Sequence, residues 1–82
     1  MFLAAQVSMY PLRQPSLSPA IDKALAIFKN HGLKVSPGAM SSVVSGEDEA
    51  LFAALKEAFQ QTAEERELVM ILTLSNACPV SR

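Results

Sequence analysis

A single cysteine, Cys78, is all the thiol chemistry this sequence holds. It excludes an internal disulfide and leaves neither a thiol cluster for a metal nor the paired cysteines of a metallochaperone. His31 is the only histidine. With no acid or nucleophile beside it in sequence, it reads as a helix-end residue rather than a catalyst. Basic clusters are missing too. Arg13, Lys23, Lys29, Lys34, Lys56, Arg66 and Arg82 are dispersed among eight acidic residues, so the electrostatic footprint of a nucleic-acid binder is absent. No apolar run approaches the roughly 20 residues of a membrane span. The opening Met-Phe-Leu-Ala-Ala-Gln has no basic residue ahead of its apolar stretch and reads as a strand, not a signal peptide. These absences lead to the expectation of a soluble, cytoplasmic chain with no membrane insertion and no nucleic-acid partner.

Eighty-two residues leave room for one domain, 1–82. Half of them are hydrophobic, generous for so small a core, and this suggests that a second copy covers part of the apolar surface.

The chain is organised around Ala5 to Pro11. In a strand, side chains alternate, so Val7 and Met9 point one way and Gln6, Ser8 and Tyr10 the other. Such a strand, apolar beneath and hydrogen-bonding above, can floor a small-molecule site. On this segment alone, a half-buried strand with a solvated face is the favoured alternative. Pro11 has no N–H and is expected to end the ladder. A loop with Pro11, Pro15 and Pro19 follows. Ser18 is placed to cap a helix that starts at Pro19 and runs to Asn30, with Ile21, Ala24, Leu25 and Phe28 on one face and Gly32 as the stop. Leu33 to Ser36 alternates as a short strand. After Pro37-Gly38 comes a third strand, Ala39 to Ser45, closed by Gly46. Glu47-Asp48-Glu49 opens a second helix with acids in its first turn, its apolar face running from Leu51 to Phe59. Leu68 to Ser75 is the last strand, with Leu68, Met70, Leu72 and Leu74 on one side and Val69, Ile71, Thr73 and Ser75 on the other.

The order β-α-β-β-α-β predicts an α+β, ferredoxin-like sandwich: a four-stranded antiparallel sheet in strand order 4-1-3-2, with two helices on one face. The other face would carry Gln6, Ser8, Tyr10, Ser42, Ile71, Thr73 and Ser75, a surface suited to a dimer with pockets in it. Chemistry is harder to assemble. RNA binding on the sheet needs stacking aromatics on both central strands, and only Tyr10 qualifies. An acylphosphatase-like anion cradle after the first strand has Arg13, but Pro15 and Pro19 stand where glycines are needed. Cys78 has no nearby base to make it a nucleophile. The residues favour a binding module over an enzyme.

Three stretches carry a resemblance: V-S-M-Y-P-L (7–12), M-S-S-V-V-S-G (40–46) and T-L-S-N-A-C-P (73–79). Together, in order over nearly the whole chain, they resemble the thiamine/hydroxymethylpyrimidine-binding family, the YkoF-type domain. The resemblance implies non-enzymatic cytoplasmic binding of thiamine or hydroxymethylpyrimidine, with no cofactor. Some members carry two such domains in tandem, so a chain with one implies a homodimer or higher homo-oligomer. An aminopyrimidine is flat, with donors and acceptors on its rim, and is recognised by hydroxyls and amides in an apolar slot. Gln6, Ser8, Ser42, Thr73 and Ser75 are the expected polar contacts, with Tyr10 and Met40 as walls. Met40 reads equally as core on the helix side, and Cys78 as a small residue shaping the strand end. No acidic side chain lies on the proposed face, which favours neutral hydroxymethylpyrimidine over cationic thiamine. The competing reading is an interaction or regulatory protein of the same fold with no small ligand.

Overall fold

The computed structural model describes residues 1–39 and 41–77. Six elements follow one another: β1 (Phe2–Pro11), α1 (Ser18–Asn30), β2 (Lys34–Pro37), β3 (Ser42–Glu47), α2 (Asp48–Ala63) and β4 (Leu68–Ser75). The strands form one antiparallel sheet in the order β2-β3-β1-β4, the ferredoxin-like arrangement expected from the element order.

Alternation in β1 decides which way the sheet faces. Leu3, Ala5, Val7 and Met9 are buried with Val44 of β3 beneath the helices. Phe28 of α1 and Leu51 of α2 are almost wholly enclosed in the same core, and each such side chain contributes about 1.5–3 kcal/mol of burial. Helix α1 ends in a Schellman arrangement. The Leu33 N–H donates to the Phe28 carbonyl (3.3 Å) and the Gly32 N–H to that of Lys29 (2.9 Å). Gly32 takes φ +79°, which costs a residue without Cβ little. Helix α2 has Asp48 and Glu49 in its first turn, and the Arg66 guanidinium closes its other end by donating to the Thr62 carbonyl at 2.6 Å.

Several local expectations are corrected. The ladder does not stop at Pro11, which pairs with Leu68, and the Leu12 N–H then donates to the Glu67 carbonyl (2.9 Å). Pro11's missing donor falls on the side that β3, last paired at Val7, does not reach. Ser18 is not the cap of α1. Leu17 holds that position with no side-chain hydrogen bond, while the Ser18 N–H reaches the Ser16 hydroxyl at 3.4 Å. Strand β3 begins at Ser42 instead of Ala39 and runs through Gly46 to Glu47.

Candidate functional site

The seven residues singled out from sequence fall in three places. Gln6, Ser8 and Tyr10 of β1 stand on the helix-free face of the sheet, beside Thr73, Ile71 and Val69 of β4, with Ser75 opposite Ala4. Five of the seven therefore share that face. Ser42 does not. It pairs with Val7 on one side and Pro37 on the other, and so faces the helices. The reason is strand parity: Val44 is fully buried while Val43, opposite Gln6, is exposed, and this fixes Ser42 on Val44's side. Met40 and Cys78 lie outside the described residues. The hydroxyl that does meet the polar stripe belongs to Ser41, which accepts a hydrogen bond from Gln6 Nε2 at 3.1 Å.

The helix-free face is a surface of sheet. The concavity is on the other side, where a cavity of about 160 Å³ opens between α1 and the sheet. Val7 and Met9 of β1 form its floor, and Ile21, Leu25 and Phe28 of α1 its roof. Leu17, Tyr10, Ser41, Ser42 and the backbone of Gly38-Ala39 complete the lining. The β2–β3 connection is held tight at this rim, because the Gly38 N–H donates to the Ser41 carbonyl at 2.8 Å. A Cβ on residue 38 would come within 2.7 Å of that same oxygen, so glycine is required there. The helix's apolar spacing was legible as core. That the roof stands off the floor and leaves a cavity was not.

This lining constrains the occupant. Among the described residues none that lines the cavity carries a formal charge, so among them neither a cation nor an anion would find a partner inside. A dry cavity of about 150 Å³ accepts a benzene ring, and one of this size suits a single six-membered ring. Of the hydroxyl-bearing residues in the lining, Tyr10, Ser41 and Ser42, Ser42 is the one whose side chain faces the helix side, and its hydroxyl can donate and accept. A flat neutral ring with hydrogen-bonding groups at its edge matches that inventory. Among the described residues no cluster of three or more His, Cys, Asp or Glu is arranged to hold a metal ion.

His31 does acquire an acid, one that sequence proximity could not reveal. Its Nε2 lies 2.7 Å from Glu57 Oε1, and Gln61 Nε2 donates to the other Glu57 oxygen at 2.8 Å. The group ties the end of α1 to α2 and does not line the cavity.

A family model described as thiamine-binding protein matches residues 5–75, a span that includes every residue lining the cavity. UPF0045 protein MJ1052 of Methanocaldococcus jannaschii is 39% identical over 57 residues, which cover 68% of this chain and 57% of that protein. The chain thus matches little more than half the length of that curated relative. The crystal structure of MJ1052 superposes on 98% of this chain and 84% of its own, with a TM-score of 0.85 and 29% identity. A putative thiamine biosynthesis/salvage protein of Thermotoga maritima superposes with a TM-score of 0.79 over 92% of this chain and 83% of that one, at 21% identity. Protein SP2199 of Streptococcus pneumoniae gives a TM-score of 0.86, covering 99% and 92% of the two chains at 20% identity. At those last two identities the likeness concerns the fold alone.

Proposed function

The chain belongs to the thiamine-binding protein family, and from that premise we propose that it binds the aminopyrimidine ring of hydroxymethylpyrimidine or thiamine, reversibly and without catalysis, as a cytoplasmic homo-oligomer. The observation that carries this reading is the uncharged, one-ring cavity between α1 and the sheet, rimmed by Tyr10, Ser41 and Ser42. Met9 and Phe28 give the ring soft and aromatic walls, and the Ser42 hydroxyl, with backbone groups at the rim, takes its edge donors and acceptors. The Gln6 amide holds Ser41 from the far side of β1. Because no carboxylate lines the cavity among the described residues, the neutral pyrimidine alcohol is the preferred ligand, and the thiazolium of thiamine would remain outside the rim. The ligand is thereby assigned to the helix side of the sheet. Ser8, Thr73 and Ser75, expected from sequence as contacts, stand on the opposite side and are assigned to contacts between copies.

Isothermal titration and amide chemical shifts with both compounds test the reading. Heat on adding hydroxymethylpyrimidine, with shifts centred on residues 17–28 and 38–42, is the expected result. Shifts confined to Gln6, Ser8, Thr73 and Ser75 would return the ligand to the helix-free face. Silence with both compounds would remove it altogether. The second reading, an interaction protein with no small ligand, draws on the exposed apolar side chains of β4. Mass spectrometry of the denatured protein separates the two, since a co-purified pyrimidine supports the first and opposes the second.

A further inference from the structure

Strand β1 serves the cavity from both of its faces. Val7 forms part of the floor. Its neighbour Gln6 points to the helix-free side, between Val43 of β3 and Thr73 of β4. The Gln6 Nε2 donates to the Ser41 hydroxyl at 3.1 Å. Amide and hydroxyl can each donate and accept, so the pair holds in either orientation of the amide. Ser41 is gripped a second time through its carbonyl, which accepts the Gly38 N–H at 2.8 Å.

The residue steadied by this double grip is the next one, Ser42, whose hydroxyl faces the cavity. Ser42 is the last rung of both pairings of β3, with Val7 on one flank and Pro37 on the other. Pro37 has no N–H to give that rung. Ladder ends open before ladder middles, so the sheet alone fixes Ser42 less firmly than Val43 or Val44. A hydroxyl that reads the edge of a small ring has to be held to within about 0.5 Å. Any ordering left until the ligand arrives is subtracted from affinity. Gln6 is a firm support for this loose end, because it lies within a strand paired on both flanks.

We propose that Gln6 is a positioning residue for the ligand site: acting through Ser41, it holds the Ser42 hydroxyl in place without touching the ligand. This role rests on the pyrimidine-binding reading above and extends that site across β1 to the helix-free face. Gln6 is exposed, so an amide released to water costs the fold little. The effect falls on order at the rim and on affinity, and leaves global stability nearly untouched.

Titration with hydroxymethylpyrimidine across a double-mutant cycle is the test, read beside thermal melts and amide hydrogen exchange. Gln6→Leu and Ser41→Ala are each expected to weaken binding about three- to tenfold, with melting temperatures little changed. The variant carrying both is expected to be no weaker than either alone, because the two act through one bond. Gln6→Glu keeps the length of the side chain, and its carboxylate accepts from the Ser41 hydroxyl, so affinity is expected to return to within about twofold of wild type. Val43→Thr, beside Gln6 on the same face, is expected to leave affinity unchanged. Should Gln6→Leu fold poorly, Ser41→Ala removes the same bond from its other end and decides the matter. Wild-type affinity in Gln6→Leu overturns the proposal, and so do losses that add in the double variant or an equal loss in Val43→Thr. If the wild type itself fails to bind, the pyrimidine reading falls, and the brace is judged by exchange alone. Faster exchange of the Gly38 amide in Gln6→Leu then supports it, and unchanged exchange removes it.

Discussion

At one edge of the sheet β2 is four residues long, carries Lys34 and finishes at Pro37, whose nitrogen has no hydrogen to offer a further strand. At the other edge β4 is twice that length and has no such residue. The regions behind the two edges differ in the same sense. On the β2 side, α1 closes over the sheet with Phe28 1% exposed and encloses a small cavity. On the β4 side, α2 leaves Phe52 51% exposed and Leu72 and Leu74 uncovered. Composition alone does not distinguish the two sides, because both are rich in aliphatic and aromatic residues. What differs is whether the apolar surface is used within the chain. One side holds its own core and a ligand-sized space, while the other is finished only when something is laid against it.

The largest expected effect comes from removing a phenylalanine on each side. Phe28→Ala empties a closed position and is expected to cost about 3–5 kcal/mol in urea unfolding. Phe52→Ala, measured on dilute monomer, is expected to change stability by about 0.5 kcal/mol or less. Equal losses would break the comparison, since Phe52 would then belong to the monomer's core. Next in size is a pair of serine replacements read by titration with hydroxymethylpyrimidine. Ser42→Val, in the cavity, is expected to weaken binding by about 1–3 kcal/mol through an unpaired ligand group. Ser8→Val, on the helix-free face, is expected to leave affinity unchanged, and a matching loss there would relocate the site. Gly38→Ala forces a Cβ against the Ser41 carbonyl and is expected to lower stability by about 1–2 kcal/mol in thermal melts, with the cavity rim displaced. An unchanged melting temperature would show that the β2–β3 connection yields freely. The smallest effect belongs to Glu67→Ala. Its ion pair with Arg13 joins two exposed side chains where the chain enters β4, and the expected change is about 0.5 kcal/mol or less, reduced further by salt.

Much of the fold was legible because its signals are local. The alternation of Val7 and Met9 against Gln6, Ser8 and Tyr10 gave β1 its two faces, and Gly32 after the apolar spacing of α1 marked its end. Where the local signal is ambiguous, the reading slipped. Val43 and Val44 are adjacent and identical, so nothing in the residues tells which is buried, and Ser42 was expected on the wrong side of the sheet for that reason. In β4, Leu72 and Leu74 were correctly read as facing the helices. Their exposure was not legible, because it depends on how far α2 reaches across the sheet. Glu57 beside His31 and Ser41 beside Gln6 are meetings of residues 26 and 35 positions apart, which no spacing rule records. The cavity was hidden for a related reason, since periodicity tells which side chains face inward but not whether they touch.

The position of β1 also bears on how the chain is made. It is made before the other described strands, yet its partners are Ser42–Glu47 on one side and Leu68–Ser75 on the other, so neither flank can be matched until long stretches have followed. Closing such distant pairs is the slow part of folding, and a nascent strand with open flanks is exposed to mispairing. Translation halted before Leu68 would strand β1 with one flank bare along its whole length. The arrival of β4 therefore completes the shelter of β1, and a pause of the ribosome over the α2–β4 connection would prolong the interval in which β1 is most vulnerable.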